Sequence, residues 1–477
     1  MIPSTSNDIL FGFVLFYNSL VLLYFFLINT GYMALLYLSA LELRYHNKRR
    51  RVDICKGETC DLVPEVAILI PAYNEKETIS SSLSSLQELD YPNLELIVIN
   101  DGSSDKTLAE IKEKFKLIPV AREADQRVQS EEVKGIYKSV SDERILVVDK
   151  ENGGKADALN AGLNYSRSEL FLAIDADSLV EKESLYRLVE PYMTKETNVV
   201  GIGGIVRVAN GCRIEGSEVK EARTPGKLLP LIQVMEYIRA FLFGRTGWSR
   251  LNSLPIISGA FGLFKTDLVR RIGGYRTDTV GEDMDLVVRL HKHLREKEEE
   301  YTISFIPDPV CWTQVPSTLK VLSRQRNRWQ RGLAEALTYS WKMIANPRYG
   351  SIGTLGLPFF FIFELLGPVV EVSGYIVFLV SFFLGWINLP FALLFITLAL
   401  LYGILLSVSS LLLEEFTLKR YKRPRDRLKL LGAAFLENFG YRQLHALWRL
   451  KGLIDFLRKS GTWGEMTRES MESDESN

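Results

Sequence analysis

Cysteine is scarce: 477 residues hold four, Cys55, Cys60, Cys212 and Cys311. None is paired at CxxC spacing, which excludes a zinc knuckle and a disulfide framework and leaves reduced thiols as the reading. Net charge is also missing, since 58 Lys and Arg balance 58 Asp and Glu. No global field therefore draws the chain to nucleic acid, and nucleic acid is not an expected partner. The pattern Gly-x-x-x-x-Gly-Lys-Ser/Thr does not occur, which removes the usual cradle for ATP phosphates. Gly201-Ile-Gly-Gly204 fails the Gly-x-Gly-x-x-Gly spacing of a dinucleotide site.

Charge is absent altogether from two long stretches, Ile9 to Leu41 and Val372 to Leu413. At about 1.5 Å per residue, the first exceeds the roughly 30 Å hydrocarbon core of a bilayer as a single helix. One long or tilted span is expected, loosened near Thr30 and Gly31. A secretory signal would carry its basic residues before the apolar run, and here they follow it. Gly385-Trp386-Ile387-Asn388-Leu389-Pro390 divides the second stretch, predicting a helical hairpin of two spans. Upstream, Ile352 to Val370 is apolar but carries Pro358, Pro368 and Glu364, the pattern of an interfacial or half-inserted segment. Three spans are expected, with four as the alternative.

Basic clusters follow both blocks: Lys48 to Arg51, then Lys419, Arg420, Lys422, Arg423, Arg425 and Arg427. The positive-inside rule makes both flanks cytosolic and the N-terminus extracytoplasmic, in a multi-pass protein of the cell membrane. The chain divides into an N-terminal helix with its basic flank (1–51), a cytosolic domain (52–350), a membrane region (351–417) and a basic, amphipathic cytosolic tail (418–477). The tail turns acidic and Ser-rich from Glu469, the composition of a disordered end.

Between the apolar blocks, short apolar runs recur at Val66 to Ile70, Leu94 to Ile99, Arg144 to Val148, Leu170 to Ile174 and Val199 to Ile205. Helical stretches between several of them predict an α/β domain with a mostly parallel sheet. Ligands of such sheets bind beyond the carboxyl ends of the strands. Polar motifs stand at those ends: Pro71-Ala-Tyr-Asn-Glu75, Asn100-Asp-Gly-Ser-Ser-Asp105, Asn152-Gly-Gly-Lys-Ala-Asp157 and Asp175-Ala-Asp177. Any one of them alone could be a turn or a helix cap. Four at successive strand ends point to a site.

Asp175 and Asp177 alternate on a turn and can direct oxygens at one hard cation. Mg²⁺ takes one or two carboxylates and completes its shell with water and substrate phosphates, which suits a diphosphate leaving group. Gly281-Glu-Asp-Met-Asp285 offers Asp283, and after it Glu282, as a base for an acceptor hydroxyl. Helix N-terminal acids stabilised by the dipole explain the same residues equally well. Gln325-Arg-Asn-Arg-Trp329 precedes the second apolar block. Its Trp could anchor at headgroups or stack on a sugar ring, and Arg328 suits a pyrophosphate.

This ordered set resembles the processive family 2 glycosyltransferases: the cellulose, hyaluronan, chitin and poly-β-1,6-N-acetylglucosamine synthases. The resemblance covers residues 66 to about 332 and extends to the membrane layout. It implies a GT-A fold, a UDP-sugar donor and Mg²⁺ or Mn²⁺. By position it places Pro71, Tyr73, Glu75 and Asp101 at the uridine end, Lys155 near the nucleotide, Asp177 on the metal and Asp175 beside it. It makes Asp283 the base of an inverting reaction giving a β-linkage, and puts Gln325, Arg328 and Trp329 on an interfacial helix at the acceptor. Trp312-Thr-Gln314 departs from the pattern, with Gln where many relatives carry Glu.

The activity implied is polysaccharide synthesis at the membrane from a UDP-sugar, with UDP-N-acetylglucosamine as first choice. Single transfer to a lipid or short oligosaccharide is the alternative, and a silent nucleotide-binding subunit is a third class. A polysaccharide or oligosaccharide acceptor, membrane lipid and accessory export subunits are the implied partners.

Overall fold

The computed structural model describes residues 6–49, 63–194, 198–215, 218–387 and 389–459. Cys55, Cys60, Arg50, Arg51, Asn388 and the acidic end from Glu469 lie outside them. The strands are β1 (Val66–Ala72), β2 (Leu94–Asp101), β3 (Leu117–Pro119), β4 (Val133–Ser139), β5 (Ile145–Lys150) and β6 (Leu170–Ile174), followed by β7 (Leu179–Val180), β8 (Val199–Val208), β9 (Arg213–Glu215), β10 (Glu218–Glu221), β11 (Phe261–Lys265) and β12 (Thr302–Thr313). Ten form one sheet in the order β3-β4-β5-β2-β1-β6-β11-β8-β12-β7, and β9 pairs with β10 apart from it.

The continuous apolar runs become buried strands, as their lack of alternation requires. β5, β2, β1 and β6 are mutually parallel, so their carboxyl ends share one edge. Beyond β6 the sheet is mixed, because β11 enters antiparallel between β6 and β8. Gly201 and Gly203 of β8 serve packing. A methyl at Gly201 would lie 3.0 Å from the Phe264 ring, and one at Gly203 3.0 Å from the Phe305 ring.

The N-terminal helix runs unbroken from Ser6 to Arg49, through Thr30 and Gly31. The expected loosening there is absent, since Gly31 instead admits the Phe359 ring, 2.7 Å from where a Cβ would stand. Among the described residues three helices are long and apolar enough to cross a membrane: Leu10–His46, Ile352–Phe383 and Leu400–Thr417. The stretch with Pro358 and Pro368 is thus the first part of the second of these. Its path includes wide π-helical turns at Ile352–Gly356 and Phe360–Leu365, on either side of the turn holding Pro358. Proline there cannot donate to the preceding turn, and the helix widens where the ladder is interrupted.

The C-terminal segment is no loose tail up to residue 459. Helices Pro424–Leu436 and Tyr441–Leu457 fold back, the second onto the arginine-rich helix Leu319–Tyr339. Gly452 permits the close approach: a Cβ there would sit 2.6 Å from the Asn327 carbonyl oxygen.

Candidate active site

Parallel register sets the first part of the site. Asp101, last residue of β2, lies opposite Lys150, last residue of β5. The buried Lys150 ammonium bonds Asp101 at 2.7 Å and Asp157 at 2.5 Å. The Gly153 and Gly154 amides donate to the two Asp101 oxygens at 3.0 and 2.8 Å. Asp101 is therefore committed to shaping the Asn152–Lys155 loop. Gly154, at φ 88, turns that loop into the helix Lys155–Tyr165.

The loop delivers Lys155 to the next strand end. Its ammonium donates to Asp175 at 2.5 Å and to the Gly259 carbonyl at 3.3 Å, and lies 3.9 Å from Glu282. Burial opposes this charge, but Asp175, Glu282 and Asp283 more than offset it and hold the Lys155 pKa above its ordinary value. Asp177, two residues beyond Asp175, is pushed up to about 7 by burial and then by Asp175. Glu282 is also pushed up to about 7, by burial and by Asp283 against the pull of Lys155. Carboxylates outweigh the cations at this point.

Asp283 stands at the start of helix Glu282–Glu296. One of its oxygens accepts from the Gly259 amide at 3.2 Å and the other from the Met284 amide at 2.8 Å. Beside it Arg245 stacks on the Phe241 ring at 3.8 Å, and burial lowers its pKa to about 10 against the pull of Asp283.

At Tyr73 the ring is exposed, while the Glu75 carboxylate accepts from the Thr78 hydroxyl at 2.6 Å. On the arginine-rich helix, Trp329 is 44% exposed and carries the Arg326 guanidinium 4.3 Å from its ring centre. Arg326 is anchored to Glu236 at 2.6 Å. Arg328 acts electrostatically on Glu282, which links this helix to the carboxylates.

What seats the helix is a contact of two glycines. A Cβ on Gly332 would lie 2.8 Å from Gly281 Cα, and one on Gly281 would lie 2.7 Å from Gly332 Cα. Glu335 then accepts from the Val280 amide at 2.8 Å and the Thr279 hydroxyl at 2.7 Å. Lys150, Arg245, Gly259 and the Gly281–Gly332 contact carried no signal in the sequence, because none lies in a periodic or repeated pattern.

Pro71, Tyr73, Glu75, Asp101, Lys155, Asp175, Asp177, Glu282, Asp283, Gln325, Arg328 and Trp329 all line one cavity of about 2510 Å³. Its wall also includes Phe25 and Ile28 of the first apolar helix, Glu371 and Tyr375 of the second and Leu400 of the third. Among the described residues no group of three or more His, Cys, Asp or Glu is placed to hold a metal. The candidate donors are Asp175 and Asp177. A pair of half-buried carboxylates, one with a raised pKa, fits a divalent cation that draws its other ligands from a diphosphate and water.

The family model described as Glycosyl transferase family 2 matches residues 67–273. The chain is 31% identical over 276 residues to a poly-beta-1,6-N-acetyl-D-glucosamine synthase of Staphylococcus epidermidis, covering 58% of this chain and 56% of that protein. With the same-named protein of Staphylococcus aureus strain COL it shares 30% identity over 329 residues, 69% of this chain and 66% of that one. The chain thus spans a little over half to about two thirds of these curated relatives. Among solved structures, the mannosyltransferase PcManGT from Pyrobaculum calidifontis, in complex with GDP-Man and Mn2+, aligns with a TM-score of 0.51 at 20% identity. That alignment covers 87% of this chain and 99% of the mannosyltransferase and supports the GT-A fold. With the strand-end motifs from Pro71 to Asp177 inside the matched region and gathered on one cavity, the chain carries a glycosyltransferase family 2 domain.

Proposed function

We propose that the protein is an inverting, metal-dependent transferase that extends a β-linked polysaccharide at the membrane from a UDP-sugar, with UDP-N-acetylglucosamine the first choice. The observation that carries this reading is one cavity walled at once by the strand-end carboxylates, by Trp329 and by the three apolar helices found among the described residues. A single-transfer enzyme needs the first part of that wall. A path for a growing polymer needs all of it, and 2510 Å³ exceeds the roughly 300–1,000 Å³ of an ordinary small-molecule pocket. The names of the curated relatives point to N-acetylglucosamine as the sugar.

In this reading Asp177, with Asp175 beside it, would hold Mg²⁺ or Mn²⁺. The ion supplies neutralisation of the leaving group. Lys155 and Arg328 add positive charge there, and Tyr73 offers a flat surface to the uracil. Asp283, oriented by the Gly259 amide, takes the proton of the acceptor hydroxyl as that oxygen attacks the anomeric carbon from the face opposite the diphosphate. This displacement inverts the anomeric centre. Trp329 supplies the ring on which the acceptor sugar stacks.

Purified protein in lipid, given UDP-N-acetylglucosamine and Mn²⁺, is expected to release UDP and form long chains on a sizing gel. Products one sugar longer than an added oligosaccharide or lipid overturn polymer synthesis. UDP release with a different UDP-sugar alone overturns the donor assignment.

A further inference from the structure

The helix Pro424–Leu436 has two apolar faces, and the protein uses one. Asp426, Leu430, Ala433 and Ala434 are buried against the fold, where Asp426 accepts from the Thr224 hydroxyl at 2.5 Å and the Thr224 amide at 3.2 Å. At 100° per residue, Leu428, Leu431 and Phe435 fall on the opposite side, with Phe439 just past the helix end. They are 70%, 45%, 50% and 52% exposed. A helix packed on one face and apolar on the other is covered by something besides its own domain.

Charge and position say what covers it. The helix begins seven residues after Leu389–Thr417, whose last part is the third apolar candidate span, so it emerges at the edge of the apolar layer. Arg420, Arg423 and Arg427 pair with Glu181, Glu221 and Glu415. Lys419, Lys422 and Arg425 are exposed and, among the described residues, make no ion pair. Three free cations beside an apolar stripe are the pattern of a helix lying in the headgroup layer of an anionic leaflet.

We propose that residues 419–439 form a docking surface for anionic lipid, on the leaflet facing the catalytic domain. Leu428, Leu431, Phe435 and Phe439 enter the boundary between headgroups and acyl chains, while Lys419, Lys422 and Arg425 hold lipid phosphates. The surface joins the acceptor side of the catalytic domain through the next helix. Arg449 bonds Gln330 at 2.8 Å, and Asn327 bonds Asp455 at 2.7 Å.

The test uses the full chain in nanodiscs of phosphatidylcholine carrying either a photoactivatable phosphatidylglycerol or a photoactivatable phosphatidylcholine, with labelled peptides mapped by mass spectrometry. Phosphatidylglycerol is expected to label residues 419–439 in preference to phosphatidylcholine. Lys419→Gln, Lys422→Gln and Arg425→Gln together are expected to lower that labelling about tenfold at low salt while leaving phosphatidylcholine labelling unchanged. Leu428→Ser with Phe435→Ser is expected to lower labelling by both lipids, and UDP binding measured in parallel reports that each variant is folded. Equal labelling by the two lipids, no response to the charge variant, or crosslinks joining two copies through residues 428–439 in place of lipid overturns the proposal. Arg425→Gln alone keeps the test available should the triple variant lose UDP binding.

Discussion

The two ends of the cavity handle charge in opposite ways. Toward the apolar helices, each of three carboxylates meets a guanidinium: Glu364 with Arg449 at 2.9 Å, Glu236 with Arg326 at 2.6 Å, and Glu437 with Arg442 at 3.2 Å and with Arg239. At the strand ends Asp175, Asp177, Glu282 and Asp283 crowd around Lys155, and two of them are pushed up to about 7. Paired charge at low dielectric fixes geometry, and its cost is already offset within the fold. Under-compensated charge in a cleft is what a cationic or proton-donating ligand completes. In the reading proposed above, the contrast separates the part of the wall that reacts from the part that frames.

The largest break in this comparison is expected from Asp283→Asn. Sugar transfer should fall by about 10²- to 10⁴-fold, the usual contribution of a general base, with UDP binding retained in calorimetry. Turnover close to that of the unaltered protein would move the base elsewhere.

Gly332→Ala tests the joint between the two ends. Its methyl meets the Gly281 backbone at 2.8 Å, which has no side chain to move aside, so the arginine-rich helix must shift. A displacement near 1 Å costs on the order of a hundredfold in transfer. UDP release to water, which needs no acceptor on Trp329, should suffer less.

At the framing end, Arg449→Gln leaves Glu364 without its cation. Because both side chains are mostly buried, at 16% and 24% exposure, a loss of about 1–3 kcal/mol is expected, read as a lower melting temperature in detergent. The UDP-sugar KM should stay near that of the unaltered protein.

The smallest effect is a slope. Asp177 and Glu282 have folded pKa values near 7, above the ordinary 3.8 and 4.5 of their side chains. Between roughly pH 4.5 and 7 the folded form therefore binds more protons than the unfolded chain, and stability falls as pH rises. Asp177→Asn should flatten that fall in metal-free protein, and Mn²⁺ with UDP should flatten it in the unaltered one. A melting temperature that rises across this window in metal-free protein, and equally in the variant, would remove the contrast between the two ends.

Much of this site was legible before folding. A parallel strand buried on both faces needs an unbroken apolar run, and its carboxyl end must then carry whatever the ligand touches. Asp175-x-Asp177 could therefore be placed from order alone, whereas Gly281-Glu282-Asp283 follows the helix Thr266–Arg271 and read only as a loop entering a helix. Asp101 was legible as a site residue, but its bonds to Lys150, Gly153 and Gly154 depend on the β2–β5 register, which a linear pattern does not state. The mixed half of the sheet escaped for a similar reason: Phe261 to Phe264 is apolar in either direction. Thr30-Gly31 invited a break because glycine weakens helices, and the Phe359 ring packed there outweighs that local preference.

The sequence by itself determined what local chemistry enforces: apolar stretches too long to leave in water, strands with carboxylates at their ends, and an arginine-rich segment with its tryptophan. Only the tertiary structure decided that these meet on one cavity. That required Gly281 against Gly332, Gly452 against Asn327, and the C-terminal helices folded back to pair Arg449 with Glu364. Such contacts join residues far apart in the chain, and their energy comes from close packing and charge pairing at short range. A one-dimensional pattern carries no record of either until the chain has brought the partners together.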